Sequence, residues 1–213
     1  VDAGTDTLTL PADTKLVIWD SKEFSPNGDV TLAGGGAGAA YDGTFEARDN
    51  AIFTALDGED HSIGGSMTFG TGATFTSASS TFTFTTSDAS RTIDTNDQLF
   101  DSVTFNGSGS WSVTDANMTI IDDLTITSGT VTLPSGTTTI GGSFTNNDTF
   151  LANNGNILFN SGTAAETINF GGSNANEIEF NGAGDWTILD TNATTTSSFI
   201  ITSGDVTLPS GII

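Results

Sequence analysis

The sequence predicts an all-β chain folded as a right-handed parallel β-helix, that is, a β-solenoid built from superrepeats of about 75 residues. Three observations support this prediction: a long segment repeats, apolar and polar residues alternate, and glycine-containing turn motifs recur at short intervals. No segment shows the helical period of about 3.6 residues bounded by capping residues. The chain is therefore expected to consist of short strands joined by tight turns.

The internal repeat is the strongest of these observations. Residues 82–136 align without a gap with residues 157–211, and 22 of the 55 aligned pairs are identical. The motif FNGSGSW at 105–111 returns as FNGAGDW at 180–186. We divide the chain into a divergent N-terminal β unit and candidate cap (1–61), a first solenoid repeat (62–136) and a second repeat, truncated at its C-terminal end (137–213). The three parts are expected to form one continuous domain.

Local patterns indicate the type of element. The segments TFTFT at 81–85 and EIEF at 177–180 alternate at a period of two, which places one set of side chains inward and the other toward solvent. A propeller needs at least four blades of about 40 to 50 residues, and two copies of this unit do not close a ring. Solenoid coils of about 20 to 25 residues would place three or four coils in each repeat. This arithmetic favours the solenoid over a propeller or a string of sandwiches.

Composition excludes several classes of function. The chain has 26 acidic and 4 basic residues, a formal net charge of −22. Nucleic-acid binding and attachment to anionic membranes require clustered Lys and Arg, so we expect neither. No stretch approaches the roughly 18 apolar residues of a membrane helix, and membrane insertion is not expected. The absence of Cys excludes disulfides and thiolate metal sites.

The acidic residues raise the question of catalysis or metal binding. A carboxylate pair used for general acid and base catalysis needs two different pKa values, and cleavage of acidic sugars also needs cations, which are scarce here. We therefore predict no catalytic residue and no enzyme. Calcium prefers hard oxygen ligands, and weak candidates for such ligands are Asp94, Asn96, Asp97, Asp57 and Asp60. No EF-hand loop accompanies them.

Three single features receive structural interpretations. His61 is the only histidine, so neither a catalytic triad nor a His-rich zinc site is expected, and we predict a turn position for it. Trp111 and Trp186 occupy equivalent repeat positions and are predicted to stack in the core. Trp19 belongs either to a cap or to an interface. Recurrent Thr-x-Thr pairs are interpreted as outward strand positions, the alternative being a flat face that orders water, as in some ice-binding proteins.

The repeat motifs resemble those of large, repetitive bacterial cell-surface β-solenoid proteins. The resemblance covers residues 62–211 and is carried by FNGSGSW (105–111), TITSG (125–129), VTLPSG (131–136) and GGSFTN (141–146). It implies an extracellular parallel β-helix of the adhesin or filament type, with no particular reaction. Such repeats serve in stalks, adhesins and coats alike, so the likeness is more specific for architecture than for function.

The C-terminal coil provides the last prediction. After Gly211 the repeat would continue into another strand, but the sequence stops at Ile212 and Ile213, which we predict to lie at an interface. That interface joins either a longer chain or a second copy, head to tail. We thus expect an extracellular structural or adhesive module of a surface fibre, stalk or coat. The alternative is a β-helix that binds or cleaves carbohydrate.

Overall fold

The computed structural model describes residues 7–35 and 42–209 as a parallel β-solenoid of about nine turns, each of about 21 residues. The described residues contain no helix, and all the strand pairings among them are parallel. The strands are β1 Leu8–Leu10, β2 Lys15–Ile18, β3 Glu23–Phe24, β4 Val30–Leu32, β5 Thr44–Ala47, β6 Ile52–Thr54, β7 Asp60–Ile63, β8 Met67–Phe69, β9 Thr74–Thr76, β10 Thr81–Phe84, β11 Arg91–Asp94, β12 Leu99–Phe100, β13 Ser102–Val113, β14 Met118–Ile120, β15 Leu124–Thr132, β16 Thr137–Ile140, β17 Phe144–Asn146, β18 Thr149–Leu151, β19 Asn156–Phe159, β20 Glu166–Asn169, β21 Glu177–Ile188 and β22 Phe199–Thr207. The predicted parallel β-solenoid is confirmed.

Strand pairing defines three faces around the solenoid axis. Face A runs through β1, β4, β7, β10, the start of β13, the start of β15, β17, β20 and the end of β21. Face B runs through β2, β5, β8, β11, the end of β13, the end of β15 and β18. Face C holds β3, β6 and β9, then β12, β14, β16, β19, the start of β21 and the start of β22. The chain visits A, B and C in that order.

Alternation explains both the strands and the core. In β10 the threonines are half-exposed while Phe82 and Phe84 are buried, and β19 repeats this pattern. Inward residues of successive turns then stack along the axis. Phe84 lies on Phe105 with ring centroids 5.2 Å apart and planes 19° apart, and the repeat equivalents Phe159 and Phe180 stack at 5.1 Å and 19°. The same local sequence therefore produces the same packing twice.

The 75-residue repeat does not contain a whole number of turns. The face A ladder passes, one residue per turn, through Val103, Leu124, Phe144, Ile168 and Ile188. The residue 75 positions after Val103 is Ile178, which pairs with Ile157 on face C of the fourth turn. The repeat thus spans about three and two-thirds turns. The second copy is consequently displaced by one face around the axis relative to the first.

Glycines permit the close stacking at the tryptophan corners. Gly129 has a φ of +92°, and a Cβ there would lie 2.7 Å from Cζ3 of Trp111 in the turn below. Gly204, with a φ of +83°, meets Trp186 in the same way. Both indoles are only 1% exposed, which confirms the predicted core stacking of Trp111 and Trp186. A side chain at either glycine would be strained and would displace the indole.

Candidate functional site

The terminal strand β22 presents an apolar surface that its repeat equivalent buries. We call Phe199, Ile201, Val206 and Leu208 the terminal surface. Ile201 is 49% exposed and Leu208 is 45% exposed. Their repeat equivalents in and beside β15, Ile126 and Leu133, are 0% and 1% exposed. The local sequence is nearly the same, so the difference comes from what covers each strand.

The covering of β15 shows what the terminal surface could accept. Strands β17 and β18 pair with its two halves in parallel register, and Phe144 and Phe150 are buried there. The next coil also supplies Asp148, whose Oδ2 accepts a hydrogen bond of 2.7 Å from the Gly129 N–H. Among the described residues β22 pairs only with β21. Its outer edge thus offers backbone groups and apolar side chains to one more parallel coil.

The calcium candidates fall into two separate turns of the chain. Asp94, Asn96 and Asp97 surround the turn after β11, where the Asn96 N–H donates to Asp94 Oδ1 at 3.3 Å and the Asp97 N–H donates to Asp115 Oδ1 at 3.2 Å. Asp57 and Asp60 lie before and at the start of β7. Within residues 7–35 and 42–209, no group of three or more His, Asp or Glu side chains is placed to hold a metal ion. The predicted interface residues Ile212 and Ile213 lie outside the described residues.

His61 occupies the core, so the prediction of a turn position is wrong. It lies within β7, is 1% exposed and takes the place in its ladder that Phe82 fills one turn later. The Val30 N–H donates to His61 Nδ1 at 3.1 Å, and Nε2 lies 3.3 Å from Glu59 Oε2. Because Nδ1 accepts, the neutral ring carries its proton on Nε2, facing the carboxylate. Burial lowers the pKa of His61, against the opposing effect of Glu59, Asp29 and Asp60. The alternating pattern around residue 61 was the signal for this inward position.

A buried ion pair ties distant turns together. Asp42 is fully buried, and its carboxylate accepts a hydrogen bond from Arg91 Nη2 at 2.5 Å. The same nitrogen lies 2.7 Å from Asp88 Oδ2. Burial raises the pKa of Asp42, while Arg91 acts to lower it. Sequence reasoning missed this network because its members are 49 residues apart along the chain.

Two further carboxyls are perturbed on one corner of the solenoid. Burial raises the pKa of Asp101, and the neighbouring Asp123 adds to that effect. Burial likewise raises the pKa of Asp122, with contributions from Asp123 and Asp101. These residues lie beside backbone and serine donors such as Ser102.

Among the residues that the structure describes, the most exposed aromatic side chain lies near the N-terminal end. Trp19 is 60% exposed, and the Arg48 guanidinium carbon lies 3.7 Å from the centroid of its ring system. Arg48 Nε also bonds Glu46 Oε1 at 2.7 Å. Beside them is a concavity of about 380 Å³ whose lining includes Asp20, Glu46, Arg48 and Asp49. An exposed indole beside polar groups can stack on the apolar face of a sugar.

Comparison with models of protein families, with curated proteins and with solved structures finds no match for this chain. Among the residues that the structure describes, there is no helix of the length and apolar character needed to cross a membrane. What the fold defines is a class, the parallel β-solenoids.

Proposed function

We propose that this chain is a non-enzymatic structural module of an extracellular surface fibre, stalk or coat, and that it extends by stacking coils end to end. The observation that carries the proposal is the exposure of the terminal surface, compared with the complete burial of the same motif in β15. A parallel coil placed on β22 would bury Ile201 and Leu208 and pair the open strand edge. In this proposal such a coil comes from a second copy in a head-to-tail contact.

The remaining surface fits a structural role. The formal charge of −22 keeps the sides of neighbouring rods apart and favours solubility. End-to-end contacts then have to overcome this repulsion, which salt screens over a distance of about 10 Å at 0.1 M. Assembly should therefore increase with ionic strength. A divalent cation such as calcium would have a larger effect at equal concentration.

The test is to measure the mass and shape of the purified chain as its concentration rises, by light scattering and negative-stain electron microscopy. We expect rods that lengthen with concentration, and we expect Ile201→Asp to abolish the lengthening. Ile121→Asp is the matched control, because Ile121 is equally open at 52% exposure but lies on the side of the solenoid. A chain that stays at 21.8 kDa at every concentration and salt level would overturn head-to-tail assembly.

Carbohydrate binding is the second candidate function, and the exposed Trp19 beside Arg48 favours it. In this alternative a glycan stacks on the indole while its hydroxyl groups bond the carboxylates of Asp20 and Asp49. Titration of a panel of neutral and acidic oligosaccharides, followed by tryptophan fluorescence, tests it, with Trp19→Ala as the variant. Turnover of any polysaccharide that is lost on replacing Asp94 or Asp97 would contradict the non-enzymatic role.

A further inference from the structure

An unbroken row of hydroxyl side chains runs along the outside of face A. We call it the hydroxyl row; its members pair in register on seven consecutive turns. They are Thr9, Thr31, Ser62, Thr83, Thr104, Thr125 and Thr145. Thr9 is exposed and the others are half-exposed, and from Thr31 onward the residues on either side of each member are buried. With strands about 4.8 Å apart, the row is about 29 Å long.

A second column of outward residues lies beside the hydroxyl row, two positions earlier on each strand. Its members on the same seven turns, in order, are Thr7, Asp29, Asp60, Thr81, Ser102, Asp123 and Ser143. Two of its three carboxylates accept backbone hydrogen bonds within the column, Asp29 Oδ1 from the Asp60 N–H at 2.9 Å and Asp123 Oδ1 from the Ser143 N–H at 2.7 Å. The outside of face A therefore carries one unbroken row of hydroxyl side chains beside a column of mixed hydroxyl and carboxylate side chains.

The hydroxyl row is not a by-product of the repeat. The residues 75 positions after Thr83, Thr104 and Thr125 are Leu158, Glu179 and Ile200. These equivalents form the corresponding outward row on face C, which therefore carries apolar and charged side chains. Hydroxyls thus occupy these positions on one face of the solenoid, and apolar or charged side chains occupy the equivalent positions on another. A compositional excess of threonine would have filled both rows alike.

The spacing of the hydroxyl row matches that of ordered water. Two waters that bond a common tetrahedral neighbour at about 2.75 Å lie about 4.5 Å apart. The strand spacing of about 4.7 to 4.9 Å repeats the Thr hydroxyls and methyls at nearly that interval. Threonine is branched at Cβ and has few rotamers on a strand, so the array is held in place before any ligand arrives. We propose that the hydroxyl row is an ice-binding surface.

The proposal does not depend on end-to-end assembly, and a single chain tests it. Thermal hysteresis of the purified protein is measured by osmometry, and uptake of the protein into a slowly growing ice front is measured alongside. We expect a gap between the melting and freezing temperatures, and we expect uptake of the protein into ice. Thr104→Tyr should reduce the hysteresis by about tenfold or more, because a ring projecting from within the row holds the ice away from its neighbours.

Thr119→Tyr is the matched control. Thr119 is an equally half-exposed strand threonine, but it lies on face C beside Leu99 and Thr139. Tyrosine is well suited to strands, and thermal melts of both variants establish that they fold. Thr83→Tyr repeats the test at a second place in the row. The proposal is overturned if the protein shows no hysteresis and is excluded from the ice. It is also overturned if the face A variants and the face C variant reduce the hysteresis equally. Binding to crystalline cellulose or chitin without hysteresis would also overturn it.

Discussion

Strands β15 and β22 carry nearly the same sequence in two different surroundings. In β15 the motif ITSG is sealed between β13 below and β17 with β18 above, and Ile126 has no exposed surface. In β22 only β21 lies below, and Ile201 is half-exposed. The stability of a coil in this molecule thus comes from its neighbours on both sides, as expected for a chain of nearest-neighbour interfaces. An end coil should be the first part to open.

The largest effect that this comparison predicts is at the buried tryptophans. Trp111→Ala should cost about 3 to 5 kcal/mol, because it removes a fully buried indole and leaves a cavity against Gly129. Trp186→Ala should cost less, since the turn above Trp186 is the exposed β22 and can relax into the space. Urea denaturation of both variants checks this. Equal costs would mean that β22 is as firmly held as β15.

A smaller and sharper contrast lies in the isoleucines of the same motif. Ile126→Ala should destabilise the protein by about 2 to 4 kcal/mol, whereas Ile201→Ala should cost less than about 1 kcal/mol. The reason is that only Ile126 is sealed from water before the change. Hydrogen exchange should likewise show faster exchange of the β22 amides than of the β15 amides. A large cost at Ile201 in dilute solution would indicate that the terminal surface is already covered there.

The pH dependence of the unfolding free energy should differ between the N-terminal turns, which contain His61, and the rest of the solenoid. The pKa of His61 is lowered by burial, so the folded protein binds fewer protons at this group than the unfolded chain does. The contribution of His61 to the free energy of unfolding is fully present above the pKa of about 6.5 that the group has in the unfolded chain. It is lost as the pH falls below that value toward the pKa of the folded state.

The test of the His61 contribution is the difference in unfolding free energy between pH 7.5 and pH 5.5, for the natural chain and for His61→Gln. Glutamine can accept the Val30 N–H bond but does not titrate, so the variant should lose part of the pH response. Burial acts to raise the pKa values of Glu46 and Glu166, but hydrogen bonds lower them overall, from Arg48 and Lys15 at Glu46 and from three hydroxyl groups at Glu166. Both groups lose their contribution to stability only below about pH 4.5. An unchanged slope in His61→Gln would assign the pH response to the carboxyls.

The smallest effect is expected at the surface ion pair between Lys15 and Glu46. Its Nζ to Oε2 distance is 3.1 Å, and both side chains are about 30% exposed. Such pairs are worth between about 0 and 1 kcal/mol because water screens them. Lys15→Met should therefore change the unfolding free energy by less than about 1 kcal/mol, measured in urea at low and high salt. A larger loss would make the N-terminal end more dependent on charge than the C-terminal end.

Sequence patterns predicted the fold well because its determinants are local. Alternation in β10 and β19, together with the recurrence of FNGxGxW, was sufficient for strands, turns and a stacked Trp111 and Trp186. The terminal surface was predicted only as an interrupted repeat. The prediction named Ile212 and Ile213, which are not among the described residues, whereas Ile201 and Leu208 are described.

The contacts that depend on how strands pair between turns could not be predicted from the sequence. Turn length along the face A ladder varies between 20 and 24 residues from Val103 to Ile188, and a longer segment separates Leu32 from Ile63. These irregular lengths decide which residues meet. The contact of Asp42 with Arg91, and the inward side chain of His61, follow from that register and not from any motif. The hydroxyl row was equally hidden, because its members are scattered along the sequence.

The fractional number of turns in the repeat has a consequence for anything built from more copies of it. Each added copy would turn its outward residues to the next side of the rod, so three copies and about eleven turns are needed before a given residue faces its first direction again. A binding residue fixed in the repeat would then be displayed in three directions. Such a rod could bind partners on every side, whatever its rotation about the long axis.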